Sequence, residues 1–297
     1  MKAATKVLNL GLVALACLFF TNARAHADDI YVGNDGNNTI MKFDSSGNGS
    51  VFANSGLERP RGLAFDSSGY LYVANLTNNT IMKFDSSGNG SVFANSALRG
   101  SHGLTFDNSG NLYVASEFHN TIEKFDSSGN GSVFANSGLD EPRGIAFDSS
   151  GNLYVANGFN NTIEKFDSSG NGSLFADSGL DEPLGLAFDR SGNLYVANMQ
   201  NSTIEKFTPD GTPSLFADSG LNEPAGLAFD SSGNLYVANF GNNTIEKITP
   251  DGTPSLFADS GLNGPVYIAV PEPATWLLLA MGTGALLGSR RLRRRSS

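Results

Sequence analysis

The sequence predicts an all-β chain, a six-bladed β-propeller built from 41-residue repeats. Three observations predict it. The tripeptide Ile30-Tyr31-Val32 returns as Leu-Tyr-Val at positions 71, 112, 153, 194 and 235, each 41 residues after the last, and self-similarity at a fixed period of this length marks a repeat architecture. Each unit holds four short segments of alternating apolar residues, bounded by Gly, Asn and Asp, as half-buried strands require. No 12-residue stretch of a unit lacks an interior Gly, Asn or Pro, which excludes the helical solenoids of similar period.

The elements follow in order along a unit. From Pro142 the segments GIAF, LYVAN, TIEKF and SLFAD read as strands, joined by FDSSGN turns on one side and by VANxxNNT and SGLDEP loops on the other. Asp-Ser-Ser-Gly supplies a side-chain acceptor at the start of the turn and a residue that tolerates positive φ at its end. Four strands make one propeller blade. The chain starts within a blade, at the second strand (Ile30 to Gly33). It finishes with Val266-Tyr267-Ile268-Ala269-Val270, which aligns with a first strand, Gly62 to Phe65. The last strand should therefore complete the first blade and leave no unpaired sheet edge at the seam.

Composition fits a folded, turn-rich protein. Only 16% of the 297 residues are charged, 35 are Gly, and 40% are hydrophobic with 21 Phe, too many apolar side chains for a disordered polymer. The lone Cys17 excludes a disulfide scaffold and a Cys-based zinc site. Residues 28–270 carry 6 Lys and 5 Arg against 28 Asp and Glu, a net charge of −17. That sign gives no footprint for nucleic acid.

The two ends read as addresses. Lys2 and Lys6 precede an apolar run from Val7 to Phe20, and Ala25-His26-Ala27 offers small residues at the positions a signal peptidase reads. Residues 1–27 are thus expected to be a secretory signal peptide, since a run of roughly 21 Å is too short for a 30 Å hydrocarbon core. At the other end Pro271-Glu272-Pro273 is followed by an apolar run and then by Arg290, Arg291, Arg293, Arg294 and Arg295. An Arg cluster resists translocation, so residues 274–289 should insert transiently in the membrane while the body has already crossed it.

Two resemblances rest on these residues. Pro-x-Gly-apolar-Ala, Asp-x-x-Gly-x-apolar-Tyr-Val-Ala and Asn-x-x-Ile-x-x-Phe, recurring over residues 30–270, resemble the NHL repeat, with the YVTN surface-layer propellers as near neighbours. The sequence of residues 271–297 resembles the PEP-CTERM sorting signal. The second resemblance implies export, an exosortase-type enzyme that cuts near Pro271, Glu272 and Pro273, and a setting at the cell surface or in the extracellular matrix among envelope proteins and surface polysaccharide. Six nearly equal units present equal groups around the axis, where a single active site needs the blades to differ, and this argues for a non-enzymatic binding or structural module. Propeller lyases and lactonases on similar folds imply an enzyme as the alternative.

Near-identical repeats make deviations readable. The residue after the Pro position runs Arg61, His102, Arg143, Leu184, Ala225, Val266, and the loop after the second strand begins with Asp35, Leu76, Glu117, Gly158, Met199, Phe240. One sector is polar and the opposite one apolar. Arg61, His102, Glu117, Phe118, His119 and Arg143 fall on three consecutive units as candidate ligand-binding residues; His102, His119 and Glu117 could bind a divalent cation or act as acid and base, and Arg61 and Arg143 could hold a carboxylate. Drift of exposed loops in a duplicated array explains the same pattern. The oxygen-rich Asp-Ser-Ser-Gly-Asn-Gly turns could bind calcium, or simply close hairpins. A body of −17 would need divalent cations to associate with acidic polysaccharide.

Overall fold

The computed structural model describes residues 29–271. The expected signal peptide with Ala25 and Ala27, and the sorting segment from Glu272 and Pro273 through 274–289, lie outside the described residues. The described residues form 24 strands in six four-stranded antiparallel sheets. Blade 1 contains β1 (Ile30–Asn34), β2 (Thr39–Phe43) and β3 (Gly49–Ala53), and its innermost strand is β24 (Pro265–Ala269). Blades 2 to 6 are each four consecutive strands, starting at Pro60, Ser101, Pro142, Pro183 and Pro224. Pairing of Tyr31 with Ala269 and of Asn34 with Pro265 closes the ring as the sequence predicts.

Each blade buries its neighbour through an aromatic ladder. Tyr72, on the second strand of blade 2, lies edge-on between Phe93 of its own blade and Phe106 of the next, with ring centroids 4.9 and 5.0 Å apart. Tyr31, Tyr113, Tyr154 and Tyr195 repeat the arrangement. Edge-to-face contact suits the ring quadrupoles, and burying such rings supplies most of the core energy. At the seam Val270 stands where the other blades have Phe, packed into the cluster that contains Tyr236.

The FDSSGN turns close through their Asp. In the first of them Asp44 Oδ1 accepts the backbone N–H groups of Ser46 and Asn48, and Oδ2 accepts the side-chain amide of Asn48. With N–H donors occupying both oxygens, hairpin closure accounts for this repeated Asp.

Two regular departures from strand alternation shape the molecule. In every blade the innermost strand carries one extra residue against the second, as between Pro60 and Leu63, which pair with Asn75 and Val73. Such a bulge re-aims side chains, and the residue after the Pro thereby lines the central channel. The inner strands also approach one another closely. A Cβ on Gly62 would lie 2.4 Å from the His102 carbonyl oxygen, and Gly103, Gly144, Gly185 and Gly226 are confined in the same way.

The sixth member of that glycine column is Tyr267. The seam carries a second exchange, Gly33 in β1 where the other blades have a fully buried Ala, such as Ala74 and Ala115. A Cβ on Gly33 would come within 2.9 Å of Leu63 Cδ1 and 3.4 Å of the Arg61 carbonyl oxygen.

Candidate functional site

The loops that join blades and those between second and third strands share one face, the mouth of the channel, and buried amides hold them there. Asn157 is fully buried; its Nδ2 donates to the Gly138 carbonyl and Thr162 Oγ1, and its Oδ1 accepts the Asp140 N–H. Asn34, Asn75, Asn198 and Asn239 repeat this clip. In blade 3 Ser116 replaces the Asn and bonds both the N–H and the carbonyl of Arg99. A second amide ties consecutive blades: Asn120 Oδ1 accepts the Glu141 N–H at 2.8 Å.

The channel wall divides as the substitutions imply. Leu184, Ala225 and Val266 form a buried apolar arc with Met199 and Phe240 packed on it. Opposite lie Arg61, His102 and Arg143. Tyr267 reaches across from the apolar arc, and its hydroxyl sits 3.0 Å from His102 Nδ1. Burial raises the Tyr267 phenol, which keeps its proton. Burial, followed by Arg61, Arg143 and Arg59, pushes the His102 imidazole well below its ordinary value, so the ring is neutral. The neutral ring and the protonated phenol thus share one hydrogen bond, with the donor set by the imidazole tautomer.

The arginines are engaged within the protein. Arg143 meets three carboxylates, Glu182 at 2.6 Å and Glu117 and Glu141 at 3.2 Å each. Asp35 is gripped twice by Arg59, at 2.9 and 3.1 Å, while Arg61 stands 3.5 Å away from it with its Nε buried and unpaired. Burial raises the Glu117 carboxyl, an effect that Arg143 opposes.

The three residues grouped as cation ligands do not converge. His102 is buried in the channel against Tyr267, whereas His119 is exposed at the end of a single 3-10 turn, Glu117–His119, that the sequence did not announce. Glu117 turns to Arg143. Among the described residues no three His, Cys, Asp or Glu side chains are placed to hold a metal ion. Arg143, expected to hold a ligand's carboxylate, is instead occupied by the chain's own three.

What the loops do form is a concavity of about 300 Å³ between blades 3 and 4, lined by Glu117, Phe118, Asn120, Asp140, Glu141 and Phe159. Phe118 is 59% exposed and Phe159 71%, unusual for rings of this size. Of this set the sequence singled out only Glu117 and Phe118. Phe159 was visible as an aromatic at the position equivalent to Phe118 one repeat later; Asp140 and Glu141 were hidden because their DEP loop recurs at Asp181 and Glu182. Tyr267 was legible as the break in the Pro-x-Gly column.

Comparison with known proteins agrees with this architecture. Residues 221–248 match the NHL repeat, residues 131–156 a β-propeller repeat, and residues 269–295 the PEP-CTERM protein-sorting motif. The chain is a propeller with an NHL repeat and a PEP-CTERM sorting motif. That motif indicates export to the cell envelope or surface. No curated protein matches the sequence. Among solved structures, a chain of the nidogen/laminin complex superposes with a TM-score of 0.74 at 21% identity, covering 81% of this chain and 97% of that one. Streptogramin B lyase gives 0.64 at 18% identity over 81% and 91% of the two chains. Virginiamycin B lyase from Staphylococcus aureus gives 0.62 at 16% over 80% and 86%. At these identities the likeness is one of fold. Among the described residues of this propeller no helix is long and apolar enough to cross a membrane.

Proposed function

We propose that this propeller is an exported, non-enzymatic binding module of the cell surface or extracellular matrix that engages surface polysaccharide, with residues 1–27 removed by signal peptidase and residues 271–297 handled by an exosortase-type enzyme. The sorting motif supports the export route. The observation that carries the non-enzymatic reading is the internal pairing of the mouth's charged groups, Arg143 with Glu117, Glu141 and Glu182. Groups so engaged brace loops, and a braced face with repeated geometry suits contact with a repetitive polymer, where weak equivalent contacts add through multivalency.

The test is retention of purified residues 28–270 on isolated envelope polysaccharide, alongside a mass spectrum of the native protein. Retention together with a C-terminus near Pro271 is expected. A protein that keeps its Arg cluster and is retained by no polysaccharide would overturn the reading. The neutral His102 held by Tyr267 in the channel is the one arrangement that favours a lyase-like enzyme instead. Loss of a measurable turnover in the His102→Ala, His119→Ala double variant would establish that alternative.

A further inference from the structure

We infer that the concavity between blades 3 and 4 binds an unacetylated amino-sugar residue of a cationic polysaccharide. The inference rests on the polysaccharide-binding reading above and names the polymer's chemistry.

Three features of the walls converge on that ligand. Phe118 and Phe159 present exposed rings from equivalent positions of adjacent blades, and a flat ring offers a stacking surface to the C–H face of a pyranose. Phe118 is not loose: a Cβ on Gly100 would fall 2.7 Å from its Cδ2, so the ring lies directly on that backbone, and its own N–H is bonded to the Arg99 carbonyl at 3.1 Å. The remaining wall is acidic, with Glu117, Asp140 and Glu141; Arg143 behind it is shared among Glu117, Glu141 and Glu182. Arg143 engages one oxygen of Glu117 and one of Glu141, which fixes both carboxylates and leaves each a second oxygen to accept from a sugar hydroxyl or ammonium. An ammonium near aromatic faces also gains cation–π attraction.

Shape and charge narrow the class. An open concavity of about 300 Å³ offers room for one hexose ring lying on its surface, with its links running out to solvent. The three carboxylates of the lining, Glu117, Asp140 and Glu141, within a body of −17, repel uronates and other acidic sugars and attract a protonated hexosamine. The N-acetylated form keeps the stacking and loses the charge. The Asn120 bond to the Glu141 N–H staples the two blades beneath the site, so the walls are positioned before the ligand arrives.

The probes are chitosan hexamer, its fully N-acetylated counterpart and spermidine, titrated calorimetrically into residues 28–270 at low salt and pH 6. Chitosan should bind, the acetylated hexamer at least tenfold more weakly, and spermidine, which has charge but no pyranose face, also at least tenfold more weakly. Phe159→Ala and Asp140→Asn, both at loop positions outside the strands, should each weaken chitosan about tenfold without shifting the melting temperature. Raising salt should weaken the wild type and have less effect on Asp140→Asn. Equal affinity for the two hexamers, or wild-type affinity in both variants, would overturn the inference. If the protein is retained by envelope polysaccharide yet ignores chitosan, only the inference fails. If it is retained by no glycan of any kind, the functional reading fails with it.

Discussion

Single residues decide how the ring is closed. Five blades put glycine at the crossing of the inner strands, and the first puts Tyr267 there and moves the small residue to Gly33. The prediction at this scale follows from the contact that a Cβ on Gly33 would make with Leu63. Gly33→Ala, which only restores the residue every other blade has, should destabilise the protein by about 1–3 kcal/mol through overpacking, read from urea midpoints. That constraint was not legible in the repeat alignment, because a lone Gly in the Ala column reads as drift. The 2.9 Å approach to Leu63 Cδ1 is what shows that the site has no room for the Ala of the other blades. Phe159 was visible in the same column as Phe118, but its 71% exposure follows only from the fold.

At the scale of elements, strands and turns were legible and bulges were not. Alternation and Asp-Ser-Ser-Gly announce a four-stranded antiparallel blade. Nothing in Pro-Arg-Gly-Leu announces that an extra residue will turn Arg61 into the channel; that follows from packing six inner strands around one axis. The turns carry their own pH dependence. Hydrogen bonds from Asn48 and Ser46 lower the Asp44 carboxyl, and Asp85, Asp126 and Asp167 are held down by the equivalent donors. A depressed folded-state carboxyl contributes stability above its unfolded value, near 4, and loses it as pH falls through the folded value. Burial acts oppositely on Glu164, Glu205 and Glu246, whose carboxyls are raised; protonating them favours the folded state, so their penalty is relieved as pH drops below neutral. The melting temperature should therefore hold level or rise slightly from pH 7 to about 5 and fall steeply below about 4. A steady decline from neutrality would contradict these assignments.

For the whole molecule, closure depends on the last seven described residues, 265–271. β24 completes blade 1 and seats Tyr267 and Val270 in it. A chain that stops at Pro271 should melt like the longer precursor, whereas one that stops at Gly264 should lose cooperative unfolding, because the missing strand leaves two inner neighbours uncovered and forfeits stability comparable with the roughly 5–15 kcal/mol of an entire domain. Differential scanning calorimetry of the two truncations checks this.

The antiparallel pairing of β1 with β24 has a further consequence. Ile30 and Ala269 lie at the same end of their strands, on the side of the Asp-Ser-Ser-Gly turns, while Asn34 and Pro265 lie at the mouth. Both ends of the propeller thus emerge beneath it, like the stem of a flower. A pull applied through the chain beyond Val270 would therefore act on the underside alone, and the corolla of loops with its aromatic concavity lies on the opposite face.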